Sequence, residues 1–167
     1  MRRIVHLSII HPLDALMLGY FRMKTAAERL VTGSGLAYAI LRSTIIFGVE
    51  DVLINNIAWL LRQCPAFAKA RLGEYRLQPV FVVDVADMDV AVSKEGRNMV
   101  VDAVGPEIYT FQELVQLIAG KVGSRAKILH MSPALGLFLS RLVGRGAHDV
   151  LLTQEEVEGL MAGLLVS

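Results

Sequence analysis

Residues 4–48 decide how this chain folds, because they hold three apolar segments separated by turns. The segments read IVHLS at 4–8, YFRMKTAAERLV at 20–31 and AYAILRSTIIFG at 37–48. The first and third are short buried-strand patterns, which predict strands over Ile4–Leu7, Ala37–Leu41 and Ile45–Phe47. The second has apolar residues at helical spacing and ends before Gly33, so it predicts a helix over Tyr20–Val31.

The remainder of the chain continues this alternation of strands and helices. Further helices are predicted over Val52–Arg62, Asp84–Val92 and Thr110–Lys121, and further strands over Val80–Val83 and Asn98–Val101. Capping boxes at Thr110–Glu113 and Thr153–Glu156 mark helix starts, and Asp84 has the position of an N-cap. Short apolar strands that alternate with helices are typical of a parallel sheet covered by helices. The predicted fold class is therefore α/β.

Composition narrows the class of protein further. The chain has 167 residues, of which 54% are hydrophobic and 20% charged, and its net charge is +1. This length fits one domain or a piece of a larger one, and the near-zero charge argues against a nucleic-acid partner. Cys64 is the single cysteine, which excludes an internal disulfide and favours a reducing, cytoplasmic location.

Membrane insertion and secretion are not indicated by the sequence. Met1–Arg3 is basic, but no long apolar segment of the signal-peptide kind follows it. No apolar run approaches the roughly 18 residues that a membrane-spanning helix needs. Val52–Leu61 and Ala134–Leu142 are the most apolar stretches, and we expect both to be packed helices. The second leaves a peripheral membrane contact open as an alternative.

Candidate chemistry begins with Ser8, Tyr20 and Lys24. Tyr20 and Lys24 are four residues apart on a predicted helix, so the ammonium can lie near the hydroxyl and favour its ionised form. A tyrosine tuned in this way can donate or accept a proton at neutral pH. Ser8 follows a strand at the end where α/β sheets place their sites, and it could orient a carbonyl. The simpler alternative is an exposed helix face with a solvated lysine.

A family resemblance is carried by motifs that occur in a fixed order along the chain. They read VHLS at 5–8, YFRMKTAAE at 20–28, SGL at 34–36, ILRSTIIFG at 40–48, QPVFVVDVA at 78–86 and GPEIYTF at 105–111. The chain resembles the later part of extended and atypical short-chain dehydrogenase/reductases, the NAD-dependent epimerase/dehydratase superfamily. Within it, the chain is most similar to NAD(P)H-binding proteins related to an accessory subunit of respiratory complex I.

The resemblance implies roles for particular residues. Tyr20 would be the proton-transfer group, Lys24 would lower its pKa and hold the nicotinamide ribose, and Ser8 would orient the substrate. The backbone of Arg42, Ser43, Thr44 and Ile45 would line the nicotinamide side. Ser43 stands where the family usually has proline, which loosens that turn.

Two further positions match the family more loosely. Asp84 matches an acidic position at a strand-to-helix junction, for which we favour the N-cap role. Arg76 matches a basic position that can face a substrate phosphate, although solvation at the surface is the simpler interpretation.

The resemblance also implies that part of the fold is missing from this sequence. The family begins with a strand and a Gly-x-x-Gly-x-x-Gly turn that lets the dinucleotide approach a helix N-terminus, and the 167 residues contain no such turn. We therefore expect the distal half of a Rossmann-type parallel sheet, over about 1–103, with a small C-terminal helical lobe over about 104–167. A sheet cut at this point would expose an edge strand.

Two functions remain open at this stage. The first is an NAD- or NADP-dependent redox or epimerase-type protein that needs a nucleotide-binding half supplied from elsewhere and acts on an unknown small-molecule substrate. The second is a noncatalytic assembly module of a redox complex or a membrane-associated partner, in which a protein or a second copy covers the sheet edge. A hydrolase or metal site around His6, His11 and Asp14 is disfavoured, since no Gly-x-Ser-x-Gly surrounds Ser8.

Overall fold

The computed structural model describes residues 3–11, 19–70 and 75–131 together with Val166. Its strands are β1 (Arg3–Ile9), β2 (Ala37–Ser43), β3 (Ile46–Phe47), β4 (Ala66–Ala70), β5 (Arg76–Leu77), β6 (Val80–Phe81), β7 (Met99–Ala103), β8 (Tyr109–Thr110) and β9 (Lys127–Met131). Its helices are α1 (Gly19–Gly33), α2 (Leu53–Gln63), α3 (Val82–Ser93) and α4 (Phe111–Lys121). The predicted stretches at Ala134–Leu142 and Thr153–Glu156, and Asp14, lie outside the described residues.

A parallel sheet in the order β1-β2-β7 forms the centre of the fold. The middle strand, β2, has Ala39, Ile40 and Leu41 wholly buried, as expected for a strand covered on both faces. In the part of the chain that the structure describes, β1 pairs only with β2 and is an edge strand. This arrangement agrees with the α/β class and with the sheet edge that the sequence predicts at β1.

Helices cover the two faces of this sheet. Helix α1 contacts β1 and β2, and α3 also contacts both of these strands. The α3 side is an apolar cluster, which consists of Ala39, Leu41, Val80, Val85, Val92 and Ala103. The α1 side carries polar residues of the strands, including Ser8 and Arg42. The side chains of each strand alternate between the two faces, so one strand serves both.

A second cluster forms a lobe beside the sheet. It consists of Ile9, Phe21, Ile57, Ala58, Leu61, Phe67, Leu77, Phe111, Leu114, Val115 and Ile118. Most of its residues come from α2 and α4, while β4 and β9 pair in parallel alongside them. Ile9 ends β1 and Phe21 lies in the first turn of α1, so the lobe is anchored next to Ser8 and Tyr20.

The helix starts show where local sequence signals succeed and where they fail. Thr110 accepts a hydrogen bond from the Glu113 amide (3.1 Å) and its own amide donates to the Glu113 carboxylate (2.7 Å), which confirms the predicted capping box. In contrast, the predicted strand Val80–Val83 is wrong beyond Phe81, because α3 begins at Val82. Asp84 is therefore a first-turn residue and not the N-cap, which is Phe81. A first-turn carboxylate still complements the helix dipole.

The structure also contains strands that the sequence did not indicate. Ala66–Ala70 and Lys127–Met131 pair with each other, and each is only five residues long. The stretch Val52–Leu61 is a packed helix as predicted, with Ile57 and Leu61 buried. None of the described helices combines the length and the apolar character that crossing a membrane requires.

Candidate functional site

The carboxyl end of β1 meets the first turns of α1, and this is where the predicted Tyr20–Lys24 pair lies. Lys24 Nζ donates to the Leu7 carbonyl oxygen at 3.1 Å and lies 5.6 Å from the centroid of the Tyr20 ring. This separation is within the range of a cation–π contact. The structure therefore brings Tyr20 and Lys24 together on one side of α1, next to the residue that precedes Ser8.

Tyr20 is partly open to solvent, with 44% of its surface exposed. Its ring meets that of Phe21 edge to face at 6.0 Å, which links it to the buried lobe. Burial raises the pKa of the Tyr20 hydroxyl, whereas the sequence led us to expect Lys24 to lower it. With a raised pKa, the phenol is protonated at neutral pH, as a proton donor must be. The Lys24 ammonium is directed to a backbone carbonyl beside the ring, and its role toward Tyr20 stays a prediction.

Ser8 is not brought into hydrogen-bond contact with Tyr20. The Ser8 side chain is 2% exposed, and its hydroxyl has no hydrogen bond of good geometry among the described residues. It does lie close enough to the Glu28 carboxylate to help lower the pKa of that group. The Ser8 carbonyl oxygen accepts a hydrogen bond from Ser43 Oγ at 3.2 Å. Ser8 thus sits beneath α1, facing Glu28.

Arg42 and Glu28 form an ion pair between β2 and α1. Arg42 Nε and Nη2 donate to the two carboxylate oxygens of Glu28 at 3.1 Å and 2.7 Å. Burial alone would raise the pKa of Glu28, but the hydrogen bonds from Arg42, the nearby Ser8 hydroxyl and the charge of Arg42 outweigh it, and the pKa is lowered. The same pair raises the pKa of Arg42. The Arg42 guanidinium is thus held by the protein, so any cofactor contact there falls to the backbone.

Glu28 is the site residue whose role the sequence reasoning missed. It follows Lys24 by four residues, as Lys24 follows Tyr20, so all three were already indicated to share one helix face. The signal was present in the spacing, but its partner Arg42 is supplied by a different element. Only the packing of α1 against the sheet shows that the side chains of Glu28 and Arg42 meet.

The predicted cofactor segment after β2 is tied to its neighbours on both sides. The Ser43 carbonyl accepts from the Ile10 amide at 3.0 Å, and the Ile45 carbonyl accepts from the Val80 amide at 2.8 Å. The Thr44 hydroxyl donates to the Gln78 carbonyl. Ser43 and Thr44 are both buried. Hydrogen bonds thus replace the rigidity that a proline at 43 would supply.

The backbone at Gly105 packs closely against the residues that hold Thr44 in place. The Gln78 side-chain amide donates to the Gly105 carbonyl at 2.7 Å. A Cβ atom on Gly105 would lie 1.8 Å from the Pro79 carbonyl oxygen, so only glycine fits there. Gly105 lets the chain after β7 pass directly against the segment that holds Thr44.

The histidines near β1 do not form a shared centre in the described residues. His6 Nε2 is buried without a hydrogen-bond partner there, and burial, followed by the charge of Lys24, lowers the pKa of His6. The ring Nε2 of His11 lies 2.9 Å from the Val166 carbonyl oxygen, to which it donates. Within the described ranges, no group of three or more His, Cys, Asp or Glu residues is placed to hold a metal ion.

Comparison with known proteins gives one match in sequence and many in structure. No family model matches the chain. The chain is 31% identical over 100 residues to NADH dehydrogenase (ubiquinone) 1 alpha subcomplex subunit 9, mitochondrial, of Arabidopsis thaliana. The match covers 58% of the chain and 25% of that protein, so the chain spans far less than the relative's full length.

Three solved structures illustrate the shared fold. An NADPH-dependent quinone oxidoreductase of Escherichia coli, crystallised with NADPH, has a TM-score of 0.74 at 22% identity and matches 99% of the chain and 58% of its own. A nucleoside-diphosphate-sugar epimerase of Staphylococcus aureus has a TM-score of 0.72 at 16% identity, covering 100% and 57%. UDP-glucuronic acid 4-epimerase of Bacillus cereus, crystallised with NAD, has a TM-score of 0.64 at 16% identity, covering 80% and 51%. These identities establish the fold, and the chain spans about half of each neighbour.

Proposed function

Since the chain has the fold of the distal half of a short-chain dehydrogenase/reductase, we propose that it supplies the Tyr-Lys side of an NAD(P)(H)-dependent redox or epimerase-type centre. The observation that carries the proposal is the position of Lys24, whose ammonium contacts the carboxyl end of β1 and the face of Tyr20. The glycine-rich half would be contributed by residues outside these 167.

The chemistry follows from the protonation states of the site. A nicotinamide cofactor would supply or accept the hydride. Tyr20, with its raised pKa, would donate its proton to the oxygen of a carbonyl substrate as the hydride reaches the carbonyl carbon. Lys24 would exchange its contact with the Leu7 carbonyl for one to the cofactor ribose, with the backbone of 43–45 beside it. Ser8 would act only if its buried hydroxyl were released from beneath α1.

Calorimetric titration of the folded chain with NADH and NADPH tests the proposal. We expect a dissociation constant below about 100 micromolar, or roughly 5.5 kcal/mol of binding free energy. Lys24→Met should weaken binding by about tenfold or more, since a charge-assisted contact is lost. Tyr20→Phe should leave binding nearly unchanged and abolish turnover of a carbonyl substrate.

Lys94→Met provides the matched control, because Lys94 is an exposed lysine at the end of α3. It should bind both nucleotides like the parent chain. Equal losses of nucleotide affinity in the Lys24 and Lys94 variants would show that Lys24 is not part of the nucleotide site. A folded chain that binds neither nucleotide would contradict the proposal for this chain alone.

A second function is favoured by a separate observation. The sequence relative is named as a subunit of NADH dehydrogenase, and β1 is an edge strand in the described part of the sheet. Together they support an assembly module that joins a larger protein complex. In that case the folded chain would bind no nucleotide, and a partner or a second copy would protect the β1 amides from hydrogen exchange.

A further inference from the structure

The outer face of α1 is apolar and exposed where it points away from the sheet. Met23 is 65% exposed and Leu30 is 75% exposed, and the two are seven residues apart on one side of the helix. Arg22 and Arg29 are exposed with the same spacing and flank this pair on one side. Ala26 lies between them and is also exposed. These five residues, which lie between positions 22 and 30, form a surface that we call the α1 outer face.

The spacing of this face matches the packing of another helix. Residues seven apart return to nearly the same side of a helix, so the apolar pair and the arginine pair form two parallel rows. Phe21, Thr25 and Glu28 are buried on the opposite side of α1, which fixes the helix rigidly against the sheet. A small residue at 26 allows a neighbouring helix to approach closely. Tyr20, Met23 and Leu30 are the large apolar side chains of α1 that are exposed.

Charge selects the partner. Glu28 is the one acidic residue of α1, and it is buried against Arg42. The α1 outer face is therefore flanked only by positive charge. An antiparallel second copy would place Arg22 of one chain beside Arg29 of the other, because residues on the same flank meet in that arrangement. Like charges oppose such a pairing.

We propose that the α1 outer face binds an amphipathic helix of a partner protein whose apolar stripe is flanked by Glu or Asp. Met23 and Leu30 supply the apolar contact, and Arg22 and Arg29 form ion pairs with the acidic residues that flank the partner's apolar stripe. The proposal does not depend on nucleotide binding, since none of these four residues belongs to the Tyr20–Lys24 pair.

Two labelled synthetic peptides test it by fluorescence anisotropy in the absence of nucleotide. Each is a three-heptad helix with Leu and Ala along one side, and the flanking positions are Glu in one peptide and Lys in the other. The 167-residue chain should bind the Glu peptide at least about tenfold more tightly than the Lys peptide, since two flanking pairs change sign. The Arg22→Glu/Arg29→Glu variant should reverse this preference.

Control variants separate this face from the overall charge. Arg97→Glu/Arg125→Glu changes the net charge by the same amount at exposed positions elsewhere and should keep the parent preference. Met23→Ser/Leu30→Ser should lose binding to both peptides while retaining the parent circular dichroism. The proposal is overturned if the folded chain binds neither peptide, if the charge swap leaves the preference unchanged, or if sedimentation shows a dimer that the Met23/Leu30 variant dissociates. Binding to anionic vesicles in preference to the Glu peptide would overturn it in favour of a membrane surface.

Discussion

The two faces of the β1-β2-β7 sheet are built from the same strands but differ in chemistry. The face toward α3 packs an apolar cluster in which Leu41 and Ala103 are fully buried. The face toward α1 holds Ser8, the Arg42–Glu28 pair and, at its carboxyl end, the contact of Lys24 with Leu7. The α3 face supplies stability, so the α1 face can keep polar groups that a core would not tolerate. Because successive side chains of a strand point to opposite faces of the sheet, the same strands can supply both the apolar face and the polar face.

The largest expected effect is on the α3 face. Leu41→Ala removes a side chain with no exposed surface and should lower the free energy of unfolding by about 2–5 kcal/mol. Leu30→Ala is the matched control, since Leu30 is mostly exposed, and it should change stability by less than about 0.5 kcal/mol. Urea unfolding followed by circular dichroism measures both. Similar losses in the two variants would mean that the α3 face is not the main core of the sheet.

The α1 face should respond less strongly, and in a pH-dependent manner. Glu28→Gln removes the carboxylate to which the partly exposed Arg42 is hydrogen-bonded and should cost about 1–2 kcal/mol at pH 7. The pKa of Glu28 is lowered in the folded chain, so its stabilisation is complete above the unfolded pKa of roughly 4.3. It is lost as the pH falls through the folded value.

Urea unfolding of the parent and the Glu28→Gln variant between pH 7 and pH 3 checks this. The difference between them should narrow as the pH falls. Glu95→Gln, at an exposed position after α3, should show no such narrowing. A constant difference across this range would show that the pair contributes no pH-dependent stability.

The smallest effect is expected outside both faces. Thr110→Ala removes the side-chain half of the capping box of α4 and should cost about 1 kcal/mol. Thr32→Ala is the control, because the Thr32 hydroxyl donates to the Arg29 carbonyl within the last turn of α1 and caps no amide. Thermal unfolding should rank Thr110→Ala as the less stable variant. The opposite order would mean that the lobe is held by its apolar cluster alone.

Local signals in the sequence predicted most of the central sheet. Strands β1 and β2, helix α1 and the capping box of α4 were all found, because each has its own periodicity or capping residues. The family resemblance drawn from these stretches is confirmed by the fold of the solved epimerases and reductases and by the NADH dehydrogenase relative.

What the sequence did not predict depends on tertiary contacts. Val82 and Val83 look like the end of a strand, yet they begin α3 as exposed residues, and the packing of Val85 and Val92 of this helix against the sheet outweighs the preference of valine for strands. Strands β4 and β9 pair with each other far apart in the chain. The Arg42–Glu28 pair needs the register of α1 on the sheet. The roles of Ser8, Tyr20 and Lys24 stay predictions.

The pairing of β4 with β9 has a consequence for the order of folding. Ala66 pairs with Lys127, so this small sheet closes a longer loop than β1 and β2, which are joined through α1 alone. Closing a long loop costs more chain entropy, and such contacts form late. We expect β1, α1 and β2 to make up the folding nucleus, while Ile128→Val in β9 should mainly speed unfolding and give a φ-value near zero in stopped-flow measurements. The lobe would then be the first part of the chain to open.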